Sequence, residues 1–208
     1  MSVPFNKKSK KSVCPLLGLL LLAASCVTTT PVQPFTVSLT SVRYEAGSIE
    51  AYFDKEFPMR GLQKRAITVF YYPQEDAVCL QFNVAGVDCS QFWSKSGRDA
   101  FAGALEQFKA EYEQKQLEKG GKGRKQYGSV QGFFTWRKLK VSKPAYGSVG
   151  IHLGYYLKEK AAFFAATQEE INYQVPDERR ILTSPVFALH FTIAQAESLA
   201  ALFGQEYL

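Results

Sequence analysis

The 208 residues carry 25 Lys and Arg against 19 Asp and Glu, a formal net charge of +6. A composition that is 46% hydrophobic and 14% aromatic belongs to a folded globule and excludes an intrinsically disordered chain. With two histidines and no closely spaced pair of cysteines, the sequence does not offer the ligands of an ordinary zinc site, and we expect no metal.

The first residues have the three parts of an export signal. Four lysines lie between residues 7 and 11, and an almost uncharged apolar run, Val13–Ser25, follows them and ends in small residues. The run is too short for a membrane-spanning helix, which takes about 20 apolar residues, and Pro15 and Gly18 weaken a helix further. Removal of this segment takes away four of the 25 basic residues and no acid, which leaves 21 basic against 19 acidic side chains.

The end of the apolar run, Leu22-Ala23-Ala24-Ser25-Cys26, resembles the lipobox of bacterial lipoproteins, in which the cysteine is lipidated and becomes the new N-terminus. Ala23 stands where enteric examples carry leucine, and this looser pattern is similar to that of spirochaete, treponemal lipoproteins. The resemblance implies a diacylglyceryl group and an N-acyl chain on Cys26. Because two or three acyl chains make attachment effectively permanent, we expect a lipid-anchored protein of the cell envelope. A conventional cleaved signal, which would release a soluble protein, is the alternative.

The residues after Cys26 predict a tether and a single domain. Val27–Pro34 contains threonine and proline, which bury no core here, and the prolines favour extended backbone. In enteric bacteria an aspartate at the position of Val27 favours the inner membrane, so valine there favours the outer membrane, facing the periplasm or the surface. We therefore predict a signal peptide over 1–25, a lipidated tether over 26–34 and one domain over 35–208, which is long enough to bury its own core.

Apolar and polar side chains alternate along much of the domain, which predicts strands with one buried face. The predicted strands are residues 36–44, 49–53, 66–72, 77–84, 130–141, 149–157, 161–167 and 185–193. A turn at Gly47-Ser48 separates the first two, residues 168–184 are polar and irregular, and 161–167 could instead be helical.

Two helices are predicted. Gly97–Lys119 follows a capping residue, Ser96, presents a helical apolar stripe, and ends at Gly120-Gly121. Thr192 caps a final helix, with Gln195 three residues further on. Strands joined by tight turns, with helices that do not alternate with single strands, indicate an α+β domain: two layers, a mainly antiparallel β-sheet with both helices packed on one face.

Cys79 and Cys89 are the cysteines that remain once Cys14 is removed with the signal and Cys26 is lipidated. In an oxidising compartment they can form a disulfide, which would close a loop of about 11 residues and stabilise by roughly 2.7 kcal/mol. The alternation of the strand places Cys79 away from the apolar face. Two buried, unpaired thiols are the alternative.

The sequence contains no decisive catalytic motif, and we expect no enzymatic activity and no cofactor beyond the lipid. No Gly-x-Ser-x-Gly occurs, and the glycines of Gly120–Gly128 follow a helix instead of preceding one, unlike a phosphate-binding loop. His152 and His190 lie on separate predicted strands without a second ligand nearby, as ordinary strand residues do.

The most suggestive functional segment is basic: residues 119–143 contain eight Lys and Arg, no acid, and several aromatic side chains. Its candidate binding residues are Lys122, Arg124, Lys125, Tyr127, Trp136, Arg137, Lys138 and Lys140. Because an exported protein rarely meets nucleic acid, an envelope protein, an anionic lipid or an acidic polymer is the expected partner. A solvated hairpin whose cations aid solubility is the alternative.

Two functions follow from these observations. The first is a non-enzymatic, lipid-anchored envelope protein that binds a partner or an anionic surface through the basic segment. The second is an envelope small-ligand binder or hydrolase with a cleft lined by aromatic residues such as Trp93, Trp136, Tyr155 and Tyr156.

Overall fold

The computed structural model describes residues 35–54, 61–117, 124–138, 143–158, 161–176 and 180–204. The chain divides into two compact units, Met1–Val32 and Gln33–Leu208, and every described residue belongs to the second. The proposed signal peptide, Cys26 and the tether lie outside the described residues and remain predictions. Within the described part of the chain, no helix has the length and apolarity that crossing a bilayer requires.

The domain is an α+β structure in which a large antiparallel sheet carries two helices, as the sequence predicts. The elements are β1 (Tyr44–Asp54), β2 (Leu62–Tyr72), β3 (Ala77–Val84), β4 (Val87–Ser94), α1 (Lys95–Glu113), β5 (Arg124–Lys138), β6 (Ala145–Lys158), β7 (Ala161–Gln168), β8 (Asn172–Gln174), β9 (Ile181–Thr183), β10 (Ala188–Phe191) and α2 (Ile193–Gly204). Within the described residues, strands β8 and β9 pair only with each other. The other eight strands pair each with the next, and β10 returns to pair with β1.

The sheet closes into a barrel, which the two-layer prediction did not include. Closure depends on the pairing of Tyr52 with His190 and of Phe53 with Leu189. Two β-bulges help to bend the sheet, one between Glu45 and Gly47 in β1 and one in β5. Gly47, with a φ of 149°, therefore marks a bulge inside one strand and not the predicted turn between two. The predicted turn was wrong because glycine is typical of both β-bulges and turns, so the residue alone does not distinguish them.

Aromatic side chains fill the inside of the barrel. Both helices follow strands that end at the same end of the barrel, and both pack on its inner face there. Phe101 of α1 lies 5.8 Å from Trp93 and 5.0 Å from Phe164, measured between ring centroids. At the other end, Phe187 packs against the rings of Phe53 and Phe82. An eight-stranded barrel is just wide enough for side chains to fill it, so the inside is a packed core.

The helix ends differ in part from the prediction. Ser94, not Ser96, caps α1, because its hydroxyl accepts from the Gly97 amide at 3.2 Å. The last helix has the predicted capping box: the Thr192 hydroxyl accepts from the Gln195 amide, and the Gln195 side chain accepts from the Thr192 amide. Gly120-Gly121, the predicted end of the first helix, lies outside the described residues.

Hydrogen bonds of Arg98 connect the start of α1 to the turn between β2 and β3. Its guanidinium donates to the Asp76 carboxylate at 2.6 Å, to the Asp76 carbonyl at 2.7 Å and to the Trp93 carbonyl at 3.3 Å. Arg98 is 9% exposed, and Asp76 has a φ of 43°, in the left-handed region. This one side chain therefore satisfies the carbonyls of the turn and of the strand end together.

Cys79 and Cys89 are free thiols, so the predicted disulfide is wrong. On the hairpin of β3 and β4, Cys79 stands opposite Phe92 and Cys89 opposite Phe82, three positions apart along the ladder. Neighbouring residues of a strand point to opposite faces, so Cys89 faces the inner core and Cys79 the outer face. Two cysteines whose side chains point apart cannot form a disulfide without backbone movement. Burial raises the pKa of each thiol to about 12.

Candidate functional site

The predicted basic segment does not form one surface. Lys122 and Lys140 lie outside the described residues, and the other candidates divide between the two ends of β5. Arg124 and Arg137 are separated by about 40 Å along the strand, at roughly 3.3 Å per residue. The two ends therefore have different neighbours and cannot contact one small partner together.

The far end of β5 belongs to the core and to a surface ion pair. Trp136 is 2% exposed and stacks on Phe134 inside the barrel, with ring centroids 5.7 Å apart. Arg137 donates to the Asp88 carboxylate at 3.3 Å, and Lys138 is exposed. The alternation of cations with aromatic side chains that suggested a binding surface therefore reflects the two faces of a strand, with Trp136 on the inner one.

The near end of β5 is tied to α1 through Glu111. The Lys125 ammonium lies 2.6 Å from this carboxylate, and the Tyr127 hydroxyl donates to its other oxygen at 3.2 Å. Burial and the neighbouring Glu111 charge raise the pKa of Tyr127, so its hydroxyl stays protonated. These two candidate residues hold strand and helix together.

A groove of about 720 Å³ opens on the outer face of the barrel beside this end of β5. It crosses β6, β7 and β10, and Arg124, Lys125 and Gln126 form part of its wall. Small residues form its floor: Gly154, Ala165 and Ala188. The volume lies within the range of about 300–1,000 Å³ that is usual for small-molecule sites.

One wall of the groove contains a fixed histidine. The Gln126 amide nitrogen lies 3.1 Å from His152 Nδ1, and His152 Nε2 lies 2.7 Å from the Glu169 carboxylate. An amide nitrogen only donates, so Nδ1 accepts and the ring proton sits on Nε2, directed at Glu169. Both nitrogens of His152 are therefore engaged.

The other histidine of the groove has no hydrogen-bond partner. His190 is 4% exposed, and neither of its ring nitrogens makes a hydrogen bond within the described part of the chain. Its ring packs 5.4 Å from that of Tyr156 and lies beside the ion pair of Lys158 with Asp54, whose charged atoms are 3.5 Å apart. Burial lowers the pKa of His190 to about 4; Asp54 raises it and Lys158 lowers it. At neutral pH the ring is uncharged and offers one donor and one acceptor.

The two histidines illustrate what sequence reasoning missed. They were interpreted as ordinary residues of separate strands, but the sheet brings both onto the same groove. Of the aromatic residues proposed for a cleft, Tyr155 and Tyr156 both line the groove. The rings of Tyr155 and Trp93 are at most 2% exposed and belong to the core. Nothing in the local sequence marks His190, because only the pairing of β10 with β7 and β1 places it.

Among the described residues, no group of His, Cys, Asp and Glu is arranged to hold a metal ion.

A second groove, of about 1180 Å³, lies between the end of α1 and the start of α2. Its described lining is mainly apolar, including Leu117, Leu157 and Ile193, and it contains no buried polar atom that lacks a partner. The smaller groove is the better candidate because a buried, unsatisfied polar group in a native structure calls for an explanation.

The comparisons with known proteins identify the family. The family model described as "Uncharacterised Treponema protein" matches residues 37–208, and the chain belongs to this family. The match supports a spirochaete, treponemal origin and extends over the whole barrel; the lipobox lies outside the matched residues. No curated protein and no solved structure matches the chain significantly.

Proposed function

We propose that this protein is a lipid-anchored lipoprotein of the cell envelope, in the outer membrane, whose barrel binds a small ligand in the His190 groove without catalysing a reaction. The anchor rests on the lysines at 7–11, the apolar run and Cys26, which would carry the diacylglyceryl and N-acyl groups. The membrane is then a partner through the lipid alone, and nucleic acid is not a partner.

The buried His190 supports the groove as a binding site. A polar group that is buried without a hydrogen bond costs about 1–3 kcal/mol. Both nitrogens of His190, which lines the groove, are such atoms; they are shielded from solvent in the free protein, and a bound molecule with matching groups would remove this cost once the ring turns toward the groove. This is the single observation on which the binding function depends.

The chemistry of the groove supports binding over catalysis. A general base needs a free nitrogen of suitable basicity near a nucleophile. His152 has both nitrogens engaged by Gln126 and Glu169, and burial lowers the pKa of His190 to about 4, which makes its ring a weak base. Both described cysteines are buried, with thiols whose pKa is raised to about 12, and neither lines the groove. A nucleophilic mechanism through a thiolate therefore finds no support.

The geometry also favours a small ligand over an anionic surface. The basic segment is divided between two ends of β5, and Lys125 and Arg137 each pair with a carboxylate. The first described residues, Phe35 and Val37, pack on the outer face of β2–β5, next to Phe92 and Phe133. They leave the His190 groove uncovered.

The anchor is tested in the full-length chain, expressed in a bacterium that processes lipoproteins and grown with alkyne-tagged palmitate. We expect the wild-type protein to incorporate the label and to partition into detergent, and Cys26→Ala to do neither. Cys14→Ala is the matched control and should behave as wild type, because Cys14 lies inside the signal. Labelling of Cys26→Ala would refute the anchor.

The groove is tested with the chain that starts at residue 26, carrying Cys26→Ser, in a screen of small molecules by saturation-transfer NMR. Ala188→Leu should fill the half-exposed floor and abolish the binding of the molecules detected with wild type. Ala102→Leu, at an exposed position of α1, is the control and should bind as wild type does. If Ala188→Leu loses no binding, the groove is not the site.

A further inference from the structure

We propose that the ligand of the His190 groove is an uncharged, polyhydroxylated molecule, a saccharide unit, whose hydroxyl groups satisfy both nitrogens of His190. The inference rests on the proposed binding function of the groove and names the class of its ligand.

The charges around the groove balance. The lining groups and their ion-pair partners include three cations and three carboxylates: Arg124, Lys125, Lys158, Asp54, Glu111 and Glu169. Lys125 pairs with Glu111 at 2.6 Å and Lys158 with Asp54 at 3.5 Å. A charged ligand would lose its hydration and meet no excess of opposite charge, so the site favours a neutral molecule.

The hydrogen-bonding groups favour hydroxyls over ionic groups. The neutral ring of His190 needs a donor for one nitrogen and an acceptor for the other. An ionised carboxylate only accepts and an ammonium group only donates, whereas a hydroxyl does both. Neighbouring hydroxyls of a sugar therefore supply the required pair.

The shape of the groove fits a ring with one apolar face. The floor of Gly154, Ala165 and Ala188 has no long side chain, and the ring of Tyr156 stands beside it. A sugar ring places C–H groups on its faces and hydroxyls around its edge, so it can lie on this floor with its edge beside Thr167, where a turn of the His190 ring brings the shielded nitrogens to the hydroxyls. The floor needs a glycine at position 154, because a Cβ there would overlap the carbonyl oxygen of Lys125 in the neighbouring strand β5.

The test follows the side chains of the two histidines by NMR in the chain that starts at residue 26 with Cys26→Ser. The chain contains two histidines, so two sets of imidazole signals are expected, which His152→Gln and His190→Gln assign. The probes are maltose and N,N′-diacetylchitobiose, with inorganic phosphate and an N-acetylated dipeptide amide as comparisons. We expect at least one disaccharide to shift the His190 signals saturably, and its apparent Kd to rise at least about tenfold in Ala188→Leu but not in Ala102→Leu.

The outcomes separate this inference from the binding function. Saturable shifts of His190 with phosphate or the dipeptide amide, and none with the disaccharides, would overturn the saccharide class and leave the groove as a binding site. If none of the probes shifts the His190 signals, the saccharide class is also overturned. Whether the groove binds any small molecule is then decided by the screen described above. Shifts confined to His152 would place the sugar elsewhere and contradict the role of His190.

Discussion

His190 of β10 stands directly opposite Ala165 of β7, so the buried imidazole faces a methyl group where a hydrogen-bonding partner could have stood. Its neighbour on the other side, in β1, is Tyr52. The barrel thus buries a polar ring between an alanine and aromatic side chains. A histidine in this position weakens the ligand-free protein, and the proposed binding function would account for its presence.

The first prediction concerns pH. The groups that face His190 are Asp54 and Tyr52 of β1 and Tyr156 and Lys158 of β6. The pKa of His190 is about 4 in the folded state and about 6.5 in the unfolded chain, so between these values the unfolded state binds more protons. Stability should therefore fall as the pH drops from about 6.5 to about 4, by up to roughly 3 kcal/mol from this group.

Urea unfolding across this pH range checks the effect, with His190→Phe as reference. The other titratable groups are the same in both proteins, so the difference between the two proteins isolates His190. We expect the variant to lose less stability than wild type on acidification. Equal losses would show that His190 titrates alike in the folded and unfolded states.

The second prediction compares two glycines near the bulge of β5. Gly154→Ala should destabilise by at least about 2 kcal/mol, because its Cβ would overlap the backbone of Lys125 and nothing there can rotate away. Gly128→Ala should be neutral or slightly stabilising, since a Cβ at that position meets no atom within 4 Å. Thermal and urea unfolding measure both, and similar losses would contradict the close approach of β5 and β6.

The third prediction concerns Arg98, which is nearly buried and donates three hydrogen bonds. Arg98→Met should destabilise by about 2–3 kcal/mol, since hydrogen bonds to charged groups are each worth about 1.5–3 kcal/mol and the loss is partly offset by packing. Lys95→Met removes an ion pair with Asp99 whose side chains are 64% and 67% exposed. That control should change the free energy of unfolding by less than about 1 kcal/mol. If Lys95→Met lost as much stability as Arg98→Met, the burial of Arg98 would not explain its contribution.

The fourth prediction concerns the thiols. In the chain with Cys26→Ser and without the signal, Cys79 and Cys89 should not react with a thiol reagent in the native state, because both are buried and their pKa is raised to about 12. After unfolding without reductant, both should react. If fewer than two thiols react in the unfolded, unreduced protein, the two cysteines form the disulfide that the structure lacks.

The sequence predicted most reliably the elements whose own residues carry the signal. The strand Ala77–Val84 was predicted with its observed bounds, and the capping box of Thr192 and Gln195 placed the last helix. In both, the signal is local: a period of two side chains, or a side chain that caps its own helix.

Two strands without this alternation were missed or misinterpreted. Strand β4 was not predicted because Cys89, Gln91, Phe92 and Trp93 are all buried, which removes the alternation. Trp136 lies in a run of five buried residues of β5, so it was taken for a surface aromatic. The outer faces of these two strands pack against residues that are distant in sequence, such as Val37. The polarity pattern within a strand does not show that its outer face is buried in this way.

The groove depends even more on long-range pairing. His190 reaches it through the register of β10 with β7 and through the closure of the barrel onto β1. Closure follows from bulges and from the summed twist of eight strands, which no short segment encodes. The groove was therefore beyond prediction from motifs, although its residues were visible in the sequence.

The most direct test of this account is the free energy of unfolding of His190→Phe, measured in urea at neutral pH without ligand. Phenylalanine keeps the contacts with Tyr156 and Phe163 and removes two unsatisfied nitrogens. We predict that the variant is more stable than wild type by about 1–3 kcal/mol. A variant less stable than wild type by a similar amount would mean that His190 has a structural partner in the free protein, and the groove would lose the observation on which its function rests.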